Sequence, residues 1–167
     1  MRILITGVGN IGKSTLREAV AADFTDDVIQ VDMDYHRGVL PSGSGKIVLV
    51  EDVHGLEKPP GEYDYVLYLK PMHGHAGRWL KRGRAWFSSG VVDLAERGGN
   101  GKPKSFLNLP LIFKIILKNI LFYRIWVRND LLVLKNRFGG RYLAVPGVEQ
   151  GGDVLRRMIA DVLHSQD

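Results

Sequence analysis

The chain contains no cysteine, so neither a disulfide nor a cysteine-ligated zinc site can contribute to it. It also lacks an uncharged apolar run of the roughly 20 residues that a membrane span requires. Its most apolar stretch, 106–134, is broken by Lys114, Lys118, Arg124, Arg128 and Asp130. No leader-like segment precedes the first apolar run, which begins at Arg2, so a cytoplasmic location is expected. No internal repeat and no linker divides the 167 residues, which suits a single domain over 1–167 with its own core. The formal net charge is +5, but no nucleic-acid-binding motif accompanies the basic residues, and no nucleic-acid partner is expected.

One pattern present is specific. Gly7-Val8-Gly9-Asn10-Ile11-Gly12-Lys13-Ser14 reads G-x-x-x-x-G-K-S. It follows a short apolar run, Arg2 to Thr6, that reads as a buried strand. It leads into Thr15 to Ala22, which reads as a helix. Strand, glycine loop and helix in that order are the context in which this pattern binds phosphate. Glycines let backbone N–H groups curl around phosphate oxygens, and the helix directs its positive end at the same oxygens. Lys13 is suited to reach the β and γ phosphates, and the Ser14 hydroxyl to ligate Mg²⁺. Gly7, Gly9, Asn10, Ile11, Gly12, Lys13, Ser14 and Thr15 are the expected nucleotide-binding residues.

Four further runs, Val28–Val31, Ile47–Val50, Tyr65–Leu69 and Arg141–Val145, are almost continuously apolar and rich in β-branched or aromatic residues, as in a parallel sheet covered on both faces. Acids end two of them. Asp32 and Asp34 follow the second strand, where a carboxylate can accept a substrate hydroxyl proton. Glu51 and Asp52 follow the third, in the shape of a Walker B element, whose carboxylate orients the water shell of Mg²⁺. Asp52 to Gly55 also reads D-x-x-G, a GTPase switch pattern, but no N-K-x-D motif follows a later strand. Basic residues concentrate between Lys70 and Lys104 and read as a lid over the phosphates, with Arg78, Arg82 and Arg84 in it. His73 and His75 have no third ligand nearby and read as a solvated loop. The 106–134 stretch reads as one or two helices covering a sheet face. A homodimer interface and a basic amphipathic surface against lipid are the alternatives. The last helix shows its apolar face at Val154, Leu155, Met158, Ile159, Val162 and Leu163, with Asp153 as the expected N-cap.

Together these segments resemble the P-loop kinases, and within them the uridine kinase and phosphoribulokinase group. Gly7 to Thr15 carries the superfamily pattern, Met33-Asp34-Tyr35-His36-Arg37 is similar to the group's segment after strand two, and Val48 to His54 to its V-V-x-E-G-V/I-H. The segment Tyr63 to Arg84 is similar to its Y-D-x-x-I-Y-L run and lid arginines. Asp52 stands where the group has glycine. The connection between the second and third strands is also close to the roughly dozen residues that a parallel crossover needs. The resemblance implies a three-layer α/β P-loop NTPase fold. Its mainly parallel five-stranded sheet would have the order 2-3-1-4-5, with a helical lid and apolar helical segment over about 72–137. It further implies ATP and Mg²⁺ as cofactors and a small-molecule phosphoryl acceptor, nucleoside-like or sugar-like. Lys13, Arg78 and Arg82 would serve catalysis, with Asp34, or failing it Asp32, as the base, and Ser14 and Glu51 would serve the metal. A regulatory ATPase or GTPase switch acting on a protein partner is the alternative function.

Overall fold

The computed structural model describes residues 1–33, 40, 46–52, 54–89, 91–92, 104–105 and 109–165. In chain order its elements are β1 (Arg2–Thr6), α1 (Lys13–Asp23), β2 (Val28–Asp32), β3 (Ile47–Glu51), β4 (Tyr65–Lys70), α2 (His75–Ser89), β5 (Val91–Val92), β6 (Lys104–Ser105), α3 (Leu109–Phe138), β7 (Tyr142–Pro146) and α4 (Gly147–His164). Two short 3₁₀ turns, Gly55–Glu57 and Pro60–Glu62, lie between β3 and β4.

Five strands form one sheet in the order β2-β3-β1-β4-β7, and every pairing within it is parallel. Counting only these strands, that is 2-3-1-4-5, the order the resemblance implies. β5 and β6 form a separate antiparallel ribbon. The register sets Ile5 opposite Glu51 and Asp32 opposite Glu51, so the acids at the ends of β2 and β3 lie beside the point where β1 runs into the glycine loop.

Strand alternation divides the core in two. Ile3, Ile5, Leu49, Leu67 and Leu69 face α1 and α4 and pack with Leu16, Val20, Leu155 and Ile159. Leu4, Val48, Val50, Val66 and Tyr68 face the other way and pack with Leu134 and Phe138 of α3. Successive residues point to opposite faces of a strand, which is why runs that are apolar at every position end up covered on both sides.

The 106–134 stretch contributes to one helix, α3, whose two halves have different partners. Its C-terminal half covers the sheet, while Ile115, Ile116 and Ile120 pack against Trp79 and Trp86 of α2 in a third, smaller cluster. Among the described residues, no helix is long and apolar enough to cross a membrane.

One expectation fails at the last helix. Asp153 is not its N-cap, because α4 begins at Gly147, and Asp153 lies exposed within the helix, 3.9 Å from Arg156. The earlier start follows from Gly147, Gly151 and Gly152, which are buried and let the first turns approach the core closely. A Cβ on Gly151 would come within 2.8 Å of the Leu69 side chain. The glycines weaken the helix signal locally, and packing overrides it.

Candidate functional site

The glycine loop has the backbone that its sequence requires. Gly7 adopts φ 143° and Gly12 φ 98°. A Cβ on Gly7 would stand 2.6 Å from the Leu69 carbonyl oxygen, and one on Gly12 would stand 2.6 Å from Val148 Cγ2. Both the conformation and the crowding therefore exclude a side chain. α1 opens on Lys13 without a side-chain cap and with no acid in its first turn, so the positive end of its dipole is left to an outside anion.

Lys13 is buried, and its Nζ donates to the carbonyl oxygens of Gly7 (3.2 Å) and Val8 (3.4 Å). Ser14 Oγ donates to Glu51 Oε1 at 2.9 Å. Glu51 is itself buried at the end of β3, and burial raises its pKa above the ordinary carboxylate value against the opposing pull of Lys13 and of the Ser14 hydrogen bond. Asn10, at φ 59°, has a buried Nδ2 with no hydrogen-bond partner among the described residues.

These residues fit a Mg²⁺-bound triphosphate on their own chemistry. A capless helix end, a buried ammonium and an unpartnered amide converge on the loop, and a hydroxyl–carboxylate pair sits at its edge. Mg²⁺ characteristically takes one or two protein oxygens and completes its shell with phosphate and water.

Arg17, one helical turn beyond Lys13, was not singled out by motif. It is 8% exposed, and its Nη1 lies 3.1 Å from Asp32 Oδ2 and 3.3 Å from Glu51 Oε2. It neutralises the two carboxylates that the β2–β3 register brings side by side. A basic residue four positions after Lys13, among the inward positions Leu16, Val20 and Ala21, is the signal that could have pointed to it.

Asp52 is also buried. Its Oδ1 accepts the His54 backbone N–H at 2.7 Å and its Oδ2 lies 3.1 Å from Lys58 Nζ, so its carboxylate closes the turn after β3. Asp34 lies outside the described residues.

Arg78, Arg82 and Arg84 all lie on α2. Arg82 is half-buried, its guanidinium carbon 5.3 Å from the centroid of the Trp86 ring, while Arg78 and Arg84 are exposed. α2 reaches the glycine loop through a different residue: a Cβ on Gly9 would stand 3.1 Å from the Trp79 ring. His73 is exposed, but His75 is not in a solvated loop. It opens α2, is 2% exposed and lies against Tyr123 of α3 with ring centroids 4.8 Å apart. Burial, and secondarily the charge of Arg78, lowers its pKa. The reason lies in helix geometry. Spacings of four, three and four put His75, Trp79, Arg82 and Trp86 on one face, and that face turns toward α3. Among the described residues, neither ring nitrogen of His75 nor Trp79 Nε1, all three buried, has a hydrogen-bond partner.

No protein-family model matches the chain, and no curated protein sequence matches it. Among solved structures it is similar to a shikimate kinase from Bacteroides thetaiotaomicron, with 12% identity, covering 96% of this chain and 98% of that one, at a TM-score of 0.45.

Proposed function

We propose that the chain transfers the terminal phosphoryl group of ATP to a hydroxyl of a small metabolite, nucleoside-like or sugar-like. The observation that carries this reading is the Ser14 Oγ–Glu51 Oε1 hydrogen bond of 2.9 Å, made at the mouth of a glycine loop whose lysine is buried beneath it. Ser14 and Glu51 hold the metal side of the nucleotide, and Mg²⁺ supplies charge neutralisation of the phosphate oxygens when bound. Lys13 and the loop backbone hold the phosphates. Arg78 and Arg82 on α2 balance the charge of the phosphoryl group in transfer and help to exclude water.

Asp34 is the base that takes the acceptor's proton, with Asp32 as the second candidate. Asp32 is already ion-paired with Arg17, which occupies its carboxylate. That pairing is why Asp34 is preferred.

The test is ADP release in the presence of Mg-ATP and a panel of nucleosides, sugars and vitamin precursors. At least one acceptor is expected to raise ADP release well above the rate with water alone. Asp34→Asn is expected to cut that acceptor-dependent rate by about 10²-fold or more while nucleotide binding persists. A fully active Asp34→Asn beside an inactive Asp32→Asn would move the base to Asp32. A rate indifferent to every acceptor, but raised by a protein partner, would replace the kinase reading with the regulatory ATPase.

A further inference from the structure

α2 and α3 are apolar on more sides than they can bury. Along α3, Phe113, Leu117, Leu121 and Ile125 recur every four residues and are 63%, 43%, 58% and 53% exposed, and Leu132 continues the same side at 51%. At about 3.6 residues per turn, Lys114, Arg128 and Lys135 fall in the sector occupied by Leu117, Leu121, Ile125 and Leu132, so cations and aliphatic side chains are interleaved on one outward face. α2 repeats the pattern with Leu80 and Phe87, 59% and 49% exposed, on either side of Arg84 in the same row.

Charge is segregated onto these two helices. They carry ten of the chain's 23 lysines and arginines but one of its 18 acids, leaving 13 basic against 17 acidic residues elsewhere. The one acid, Asp130, accepts the Tyr68 hydroxyl of β4 at 2.7 Å, so it faces the sheet and does not offset the outer cations.

We infer that the outward face of α2 and α3 docks the protein on an anionic phospholipid surface. An interleaved face needs an occupant that takes aliphatic groups and cations at once. A bilayer does this, because acyl chains receive leucine and phenylalanine while headgroup phosphates receive lysine and arginine. Long basic side chains reach the phosphates without withdrawing their neighbours from the apolar layer. A second copy meeting this face about a two-fold axis would set cations against cations, with no outward acid on either helix to answer them. A nucleic acid would answer the cations but leave the aliphatic ridge in water. The contact is peripheral, since no described helix is long and apolar enough to span.

The test is co-sedimentation of the full chain with vesicles of phosphatidylcholine alone and of phosphatidylcholine mixed in equal parts with phosphatidylglycerol. Binding is expected to the mixed vesicles only and to weaken as salt is raised. Lys114→Ser with Arg128→Ser should weaken it about fivefold per cation removed. Leu121→Ser with Ile125→Ser should weaken it by at least as much, with both variants melting near the temperature of the parent. Equal binding to both vesicle types, no binding, or binding unaffected by the ridge variant would overturn the inference. So would a mass twice that of the chain in light scattering that returns to monomer in the ridge variant, which would assign the face to a second copy.

Discussion

Replacing Arg17 by methionine tests whether the acids at the ends of β2 and β3 depend on one shared cation. Methionine keeps most of the side-chain volume, so packing changes little. The charge is lost from a position 8% exposed, where it stands 3.1 Å from Asp32 and 3.3 Å from Glu51. Removing one partner of a buried ion pair costs about 3–5 kcal/mol. The Asp32 side chain retains 16% exposure, so water screens part of the loss and the lower end, about 3 kcal/mol, applies. At about 2.1 cal/mol/K per residue, a chain of 167 residues unfolds with an entropy near 0.35 kcal/mol/K, which converts the loss to about 9 °C in melting temperature.

The pH dependence gives the sharper signature. Without Arg17, Glu51 keeps the pull of Lys13 but faces Asp32 across the β2–β3 register with less compensation, so its folded-state pKa, already raised by burial, rises further. A raised carboxyl pKa means that the folded state binds the proton more tightly. The variant's deficit is therefore largest above that pKa and shrinks on acidification. Thermal melts of parent and variant at pH 8 and at pH 5 measure it directly. A deficit under about 1 kcal/mol at pH 8, or one equally large at pH 5, would refute the shared-cation reasoning. Adding Asp32→Asn to the variant should recover stability non-additively, since the two positions are in contact.

Mg-ATP at 100 times its dissociation constant should stabilise the chain by about 2.7 kcal/mol, roughly 5–10 °C for this length, and Lys13→Ala should abolish most of that shift; an equal shift in the variant would remove Lys13 from the site. Glu51→Gln should leave the nucleotide-free melting temperature at neutral pH unchanged or raised, because burial already favours the uncharged form, while shrinking the Mg²⁺-dependent part of the nucleotide shift. In the parent, that Mg²⁺-dependent part should fade on acidification before the ordinary carboxylate range is reached, since Glu51 protonates above it, as a melting series with and without EDTA would reveal. Gly7→Ala should cost at least about 1–3 kcal/mol, because φ 143° and the Leu69 carbonyl oxygen 2.6 Å from the added Cβ both oppose it, and denaturant unfolding reads this without any ligand.

Much of the glycine-loop end of the molecule was legible in the residues because its signals are local. Gly7 to Ser14 declares a loop by spacing, and the backbone angles at Gly7 and Gly12 are what that spacing demands. The five sheet strands are short apolar runs bounded by glycine, proline or acids, and they lie where those runs lie. Glu51 was identified by following an apolar strand, and it receives the Ser14 hydrogen bond. The sheet order was carried by the resemblance, and the parallel pairings agree with it.

What was misread depended on which face of a helix meets a neighbour. His75 looked like half of a solvated pair until α2 turned it against Tyr123. Asp153 looked like a cap until buried glycines allowed α4 to begin at Gly147. Arg17 carried no motif, since its role exists only where α1 passes the ends of two strands that the chain does not place next to it.

The sequence by itself determined the glycine loop, the strands and the acids at their ends, because loop conformation and strand burial follow from residue type at fixed local spacing. Only the tertiary structure decided that Arg17 joins Asp32 to Glu51, that Trp79 rests on Gly9, and that one side of α3 stays uncovered. Those are contacts between segments far apart in the chain, and apolar periodicity marks a helix face as able to pack without naming what it packs against.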